Sequence, residues 1–274
     1  MQVDVIDKLR GTIRSGLLKN VLIRIDYTGI NNIDTWIEEQ QEFLSEYFSC
    51  YERGSNNNAK IEFTNIDDIA KSLSLPVSEI RKETVHSYSV WKKGNTDDVR
   101  LSITSYYMTL NIVCNNYTTI DNYLDFISLY ILAISSKYSF LTIQRVGIRK
   151  IGGKSFPKVD DMCEIYRPEL FFGKEVNDNG YPLQREYSDM YLLNDNSLKV
   201  NYRRLYKCQK MREEDRHLTL LDLDCYVDQY NIGKYAYDIK RNCIAILKML
   251  NTHLFQLFYD SVQVFFIEKC QNEA

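Results

Sequence analysis

The chain has 274 residues, of which 45% are hydrophobic and 26% charged, a composition that excludes disordered and fibrous classes and provides for a sizeable core. Its formal charge of −3 supplies no global attraction to phosphate backbones, which recruit clustered lysine and arginine, so any nucleic-acid contact has to be local. With 4 prolines and 11 glycines no linker cuts the chain; a single α+β unit over residues 1–274 is expected, with 1–138 and 139–274 as its lobes if it divides.

Val21, Ile23, Ile25 and Tyr27 alternate with Leu22, Arg24, Asp26 and Thr28, the period of two of a half-buried strand. Gly29, Asn31 and Asn32 turn the chain into a helix over 33–48, which gathers Ile33, Trp36, Ile37, Phe43, Leu44 and Tyr47 on one face. Residues 53–58, Arg-Gly-Ser-Asn-Asn-Asn, read as an exposed loop. From 84 to 113 the pattern is β again, turning over 91–98 and once more at 104–107. A helix over 120–137 follows, with Ile120, Leu124, Ile127, Ile131 and Ile134 on one stripe and Thr119 as its N-cap.

The same order then recurs. A strand over 141–151 and an irregular insert precede strands near 185–193, 198–207 and 218–227. In the long helix that follows, Ile239, Cys243, Ile246, Leu250, Leu254 and Leu257 are spaced by three and four. Residues 262–267 fit either an extension of this helix or a terminal strand, because a short apolar run has no resolving period. The expected fold is α+β, with antiparallel sheets each followed by an amphipathic helix, and with two halves alike in element order but not in residues.

Arg145 and Arg149 flank Gly147 on one side of a strand, a pair of guanidinium groups that could cradle an anion across an open gap. Asp222 and Asp224 likewise share one face, opposite Leu221, Leu223, Cys225 and Val227. Paired carboxylates suit general acid and base work or a metal, for which Asp228, Glu186 and Asp189 would be further donors. If the two strands are neighbours, the same four residues neutralise one another as cross-strand ion pairs, and the structural reading is the simpler one. No local spacing fixes a metal site, so neither a metal nor a cofactor is expected.

Lys199, Arg203, Arg204, Lys207, Lys210 and Arg212 form the basic tract, interleaved with Tyr202 and Tyr206. Arg203, Arg204 and Lys207 are its candidate ligand-binding residues; the alternative is an edge strand carrying charge against aggregation. His86, His217 and His253 stand outside any H-E-x-x-H or H-x-H pattern, and no G-x-S-x-G, Walker A or G-x-G-x-x-G sequence occurs, which removes the common hydrolase and nucleotide-binding templates. The seven cysteines, odd in number and without a C-x-x-C pair, fit reduced thiols of a cytoplasmic protein. The first ten residues lack the apolar core of a signal peptide, and the apolar stretch 123–134 is broken by Asp125 and Ser128, so neither export nor a membrane span is expected. Twenty-one tyrosines suit contact surfaces that bury area yet keep a polar handle.

The order of landmarks, namely a strand pair near Trp91 to Val113, Tyr117 before a helix, Arg145-Val-Gly-Ile-Arg149, Leu220-Leu-Asp-Leu-Asp-Cys-Tyr226, and a helix with His253 and Phe258, resembles a sporadically distributed, uncharacterised family of bacterial and archaeal proteins. After the second arginine the family pattern continues with an aromatic residue and an asparagine, where this chain has Lys150 and Gly152-Gly153. The resemblance implies a one-piece α+β fold and, through a distribution like that of mobile or defence islands, a partner encoded nearby. The expected function is a non-enzymatic interaction or regulatory protein, as in a defence or toxin–antitoxin module, with a protein partner or a second copy of the chain. The competing expectation is an enzyme or binding protein acting on nucleic acid or a phosphorylated ligand through the Arg/Asp cluster.

Overall fold

Alternation of aliphatic and polar residues along Leu18–Tyr27 (β1) sends Val21, Ile23, Ile25 and Tyr27 into the core and leaves Leu22, Arg24 and Asp26 on the opposite face. The computed structural model describes residues 17–56, 83–93, 98–114, 117, 119–172, 184–195, 198–211, 216–228 and 239–272. Helices α1 (Ile33–Glu39) and α2 (Gln41–Tyr47) follow β1, and then come strands β2 (Phe48–Asn56), β3 (Glu83–Trp91), β4 (Asp98–Ile103) and β5 (Tyr107–Val113) and helix α3 (Asp121–Lys137). The chain continues as β6 (Ile143–Gly152), β7 (Ser155–Phe156), α4 (Val159–Cys163), α5 (Pro168–Phe172), β8 (Gln184–Asp195), β9 (Leu198–Met211) and β10 (Arg216–Asp228). Helices α6 (Ile239–Tyr259) and α7 (Val264–Asn272) close it.

The strands join one 10-stranded sheet in the order β2-β3-β4-β5-β1-β6-β10-β9-β8, with β7 on β10. Every pairing in it is antiparallel, so the α+β expectation holds with a single sheet in place of separate ones. β1 lies between β5 and β6, and its register sets Arg24 opposite Gly147 and Asp26 opposite Arg145.

Helices α1 to α6 pack on one face. Trp36 of α1 meets Tyr130 of α3 edge-on at 5.4 Å, and Trp91 of β3 packs on Phe126 of α3 at 5.6 Å. Tyr27 donates or accepts a 3.2 Å hydrogen bond with Tyr130. On α6 the residues Cys243, Ile246, Leu247, Leu250 and Leu254 are buried with Val146, Ile148, Leu223 and Val227 of the sheet. Each such aliphatic side chain, fully removed from water, stabilises the fold by about 1.5–3 kcal/mol before the entropy of ordering is counted. No described helix is long and apolar enough to cross a membrane.

Several elements differ from the periodicity reading. The expected helix over 33–48 is two, interrupted at Gln40, whose backbone (φ −98°, ψ 10°) leaves the helical region, and Phe48 already opens β2. Residues 53–56 extend β2 rather than forming a loop, while 57 and 58 lie outside the described residues. Ile120 occupies the N-cap position of α3, although the Thr119 hydroxyl does accept the Asp121 amide at 3.2 Å. The terminal apolar run belongs to a separate helix, α7, after a turn in which Val262 bridges Tyr166. The basic strand β9 lies inside the sheet, between β10 and β8, so it is not the edge strand that its charges suggested. The turn at 94–97 and the tract end at Arg212 lie outside the described residues.

Candidate functional site

Period-two alternation carries Arg145 and Arg149 of β6, Asp222, Asp224 and Asp228 of β10, and Arg203 and Lys207 of β9 to the sheet face opposite the helices. Arg149 stands across from Asp224, Asp228 across from Arg145, and Arg203 across from Asp224. The ion pairs run diagonally from this register. Arg149 grips Asp222 with two hydrogen bonds, Nε at 2.7 Å and an Nη at 2.6 Å, and Arg203 donates to the same carboxylate at 3.1 Å. Arg145 reaches Asp224 at 3.6 Å and stacks on Tyr226 with its guanidinium 3.9 Å from the ring centre. Tyr226 stands opposite Gly147 in the register, and its Cβ together with the Arg145 Nε takes up the space over the glycine, so the gap between the two arginines is not open. Asn201 of β9 donates to Asp228 at 3.3 Å.

The carboxylates differ in environment. Asp222 is 2% exposed between two guanidinium groups. Burial pushes the Asp224 carboxyl above its ordinary range, and the neighbouring Asp222 charge adds to this, against the lowering pull of Arg145, Arg149 and Arg203. Arg145, Arg149 and Arg203 together balance Asp222, Asp224 and Asp228, so the ladder has no charge surplus with which to attract a phosphate backbone. The Nε atoms of Arg145 and Arg203 are buried without a hydrogen-bond partner among the described residues.

Neighbouring Arg204 takes the other face. It grips Asp189 of β8 at 3.0 and 2.6 Å, and Tyr187 and Tyr191 also donate to that carboxylate. Burial works against the Asp189 charge, but the hydrogen bonds from Arg204, Tyr191 and Tyr187 outweigh it and hold the carboxyl below its ordinary range. The bond to Asp189 pushes the Tyr191 hydroxyl up to about 12. Lys207 lies 3.6 Å from Glu186, at the strand end away from the ladder. Asp189 and Glu186 therefore stay apart from Asp222 and Asp224, and no described group of His, Cys, Asp and Glu is arranged to hold a metal.

One polar assembly had no sequence signal. His86 of β3 is 2% exposed, with Nε2 2.6 Å from Asp34 of α1 and Nδ1 2.9 Å from the Tyr51 hydroxyl of β2. A carboxylate only accepts, so Nε2 carries the proton of that bond, while Nδ1 and the Tyr51 hydroxyl share a second hydrogen bond. Arg53 bonds the second oxygen of Asp34. These residues come from elements far apart in the chain, and no spacing could have joined them. Cys208 and Cys243, pushed by burial up to about 11 and about 12, stay as thiols at neutral pH. No protein-family model matches the chain, and no curated protein matches it.

Proposed function

We propose that the chain is a non-enzymatic interaction protein that receives a strand of a protein partner along β8. The observation carrying this is the edge itself. β8 runs for 12 residues, pairs only with β9 among the described strands, and leaves Met190 and Leu192 exposed at 66% and 54%. A long edge strand presents unpaired backbone donors and acceptors and invites strand addition; the charges of this one at Glu186 and Asp189 are engaged by Lys207 and Arg204 of β9. The mutual neutralisation of the Arg/Asp ladder supports the same reading, because its buried carboxylate is already committed to two arginines. A regulatory or neutralising role in a cytoplasmic bacterial defence or toxin–antitoxin module rests on the family resemblance. We infer as well that the two halves are similar units, each ended by an amphipathic helix; β1 pairs with β5, the last strand of its run, as β6 pairs with β10, the last of the second.

Affinity purification from the native host tests the docking surface. The wild-type chain is expected to retain a stoichiometric protein partner, and the Met190→Lys, Leu192→Lys double variant to lose it without a change in melting temperature, since exposed substitutions shift stability by about 0.5 kcal/mol or less. A chain that purifies alone, or a variant that keeps its partner, sinks the assignment. The second reading, an enzyme or binding protein for nucleic acid or a phosphorylated ligand, draws on Asp224, whose raised carboxyl has the character of a general acid.

A further inference from the structure

A cavity of about 580 Å³ opens at the end of the sheet, bordered by Lys19, Ile151, Gly152, Gly153, Lys154, Ser155, Lys207, Gln209 and residues 218–220. It continues the ladder face past Asp222, because Leu220 stands opposite Lys207 and Leu218 opposite Gln209. Its three lysines come from three separate segments, and no carboxylate is among the described residues that border it, although Lys207 also lies 3.6 Å from Glu186 of β8. The volume falls within the range of sites for small organic ligands.

The walls are fixed before any ligand arrives. Thr219, 2% exposed, donates its hydroxyl hydrogen to the Lys154 carbonyl at 3.0 Å, accepts the Lys154 amide at 3.2 Å, and sends its own amide to the same carbonyl at 2.9 Å. The Gly153 amide bonds the Leu17 carbonyl at 2.9 Å, and a Cβ at 153 would come within 2.3 Å of the Thr219 carbonyl oxygen. Only glycine allows that approach, so Gly152-Gly153 lets the end of β6 press between β1 and β10. Arg216 donates to the Ser155 hydroxyl at 2.8 Å, which leaves the serine hydrogen to be donated elsewhere. Ile151, Leu218 and Leu220 supply apolar surface.

We propose that this cavity binds a small organic anion, with a phosphate or carboxylate group held by Lys154, Lys207 and Lys19 and an apolar skeleton against Ile151, Leu218 and Leu220. Partner docking on β8 does not enter the argument, and the two sites are tested by separate variants. The experiment follows backbone amide resonances of Gly152, Gly153 and Thr219 in the full chain during titrations with pyrophosphate and, separately, citrate. Saturable shifts at these amides are expected with at least one probe, and the tighter probe identifies the anionic group. A Lys154→Gln, Lys207→Gln variant that keeps the wild-type melting temperature is expected to bind that probe at least about tenfold more weakly, because two of its three cationic contacts are removed. The absence of saturable shifts with both probes, or an unchanged affinity in the variant, overturns the site.

Discussion

Asp222 and Asp224 are two residues apart on one strand face, yet the structure gives them different work. Asp222 is the dry centre of a three-residue knot with Arg149 and Arg203, while Asp224 has, among the described residues, a single guanidinium within salt-bridge distance, Arg145 at 3.6 Å. Removing one member of a fully buried ion pair costs about 3–5 kcal/mol. Here Arg149 and Arg203 remain 32% and 30% exposed, so water relieves part of the loss and Asp222→Asn is expected to cost about 2–3 kcal/mol in urea unfolding. Asp224→Asn is expected to cost less than about 1 kcal/mol, because burial already disfavours its charged form. Equal losses at the two positions would mean that the ladder acts as one network. An activity abolished by Asp224→Asn at unchanged stability would instead establish the enzymatic reading.

At the scale of elements, alternation and helical spacing were legible wherever one face is uniformly apolar: β1, β4, β5, β6, β10, α3 and α6 all follow from them. Pairing of Arg145 and Arg149 with Asp222 and Asp224 was legible as one alternative, because side-chain facing follows from strand period alone. The diagonal choice of partners was not, since it departs from the register of directly opposed residues and no spacing encodes it. The break at Gln40 carries neither proline nor glycine, so no local signal marked it; on either side of it Trp36 and Tyr47 pack on Tyr130 and Phe126 of α3. Likewise the Asp34–His86–Tyr51 assembly exists only after α1 and β3 meet. Within β3, Val90 adopts φ 61°, a left-handed conformation that crowds a β-branched side chain, and it is 55% exposed. Val90→Gly is therefore expected to raise stability by about 0.5–1 kcal/mol, the strain relieved outweighing the added freedom of the unfolded chain. A lowered urea midpoint would show that the valine side chain contributes packing that outweighs the strain.

For the whole molecule, the decisive pairing is β1 with β6, at the middle of the sheet order. It joins residues 18–27 to 143–152, so the central ladder closes across more than a hundred residues of chain, a topology that favours slow folding. Cutting between residues 138 and 139 would expose two long strand edges beside the aliphatic face formed by Val21, Ile23, Ile25, Val146 and Ile148. The fragments 1–138 and 139–274 are each expected to aggregate when produced alone and to recover a one-to-one complex with the dichroism spectrum of the intact chain when produced together. A fragment that is soluble and unfolds cooperatively by itself would make the lobes independent units. The placement of the aromatic residues has a practical consequence for such measurements. Both tryptophans of the chain, Trp36 and Trp91, are buried around Phe126 and Tyr130 at the β2–β5 end, whereas the aromatic cluster of the β8–β9 end is built from Tyr187, Tyr191, Tyr202, Tyr206 and Phe171. Indole emission therefore reports on the β2–β5 end, and comparing its transition with that of the backbone dichroism reveals whether this end opens first.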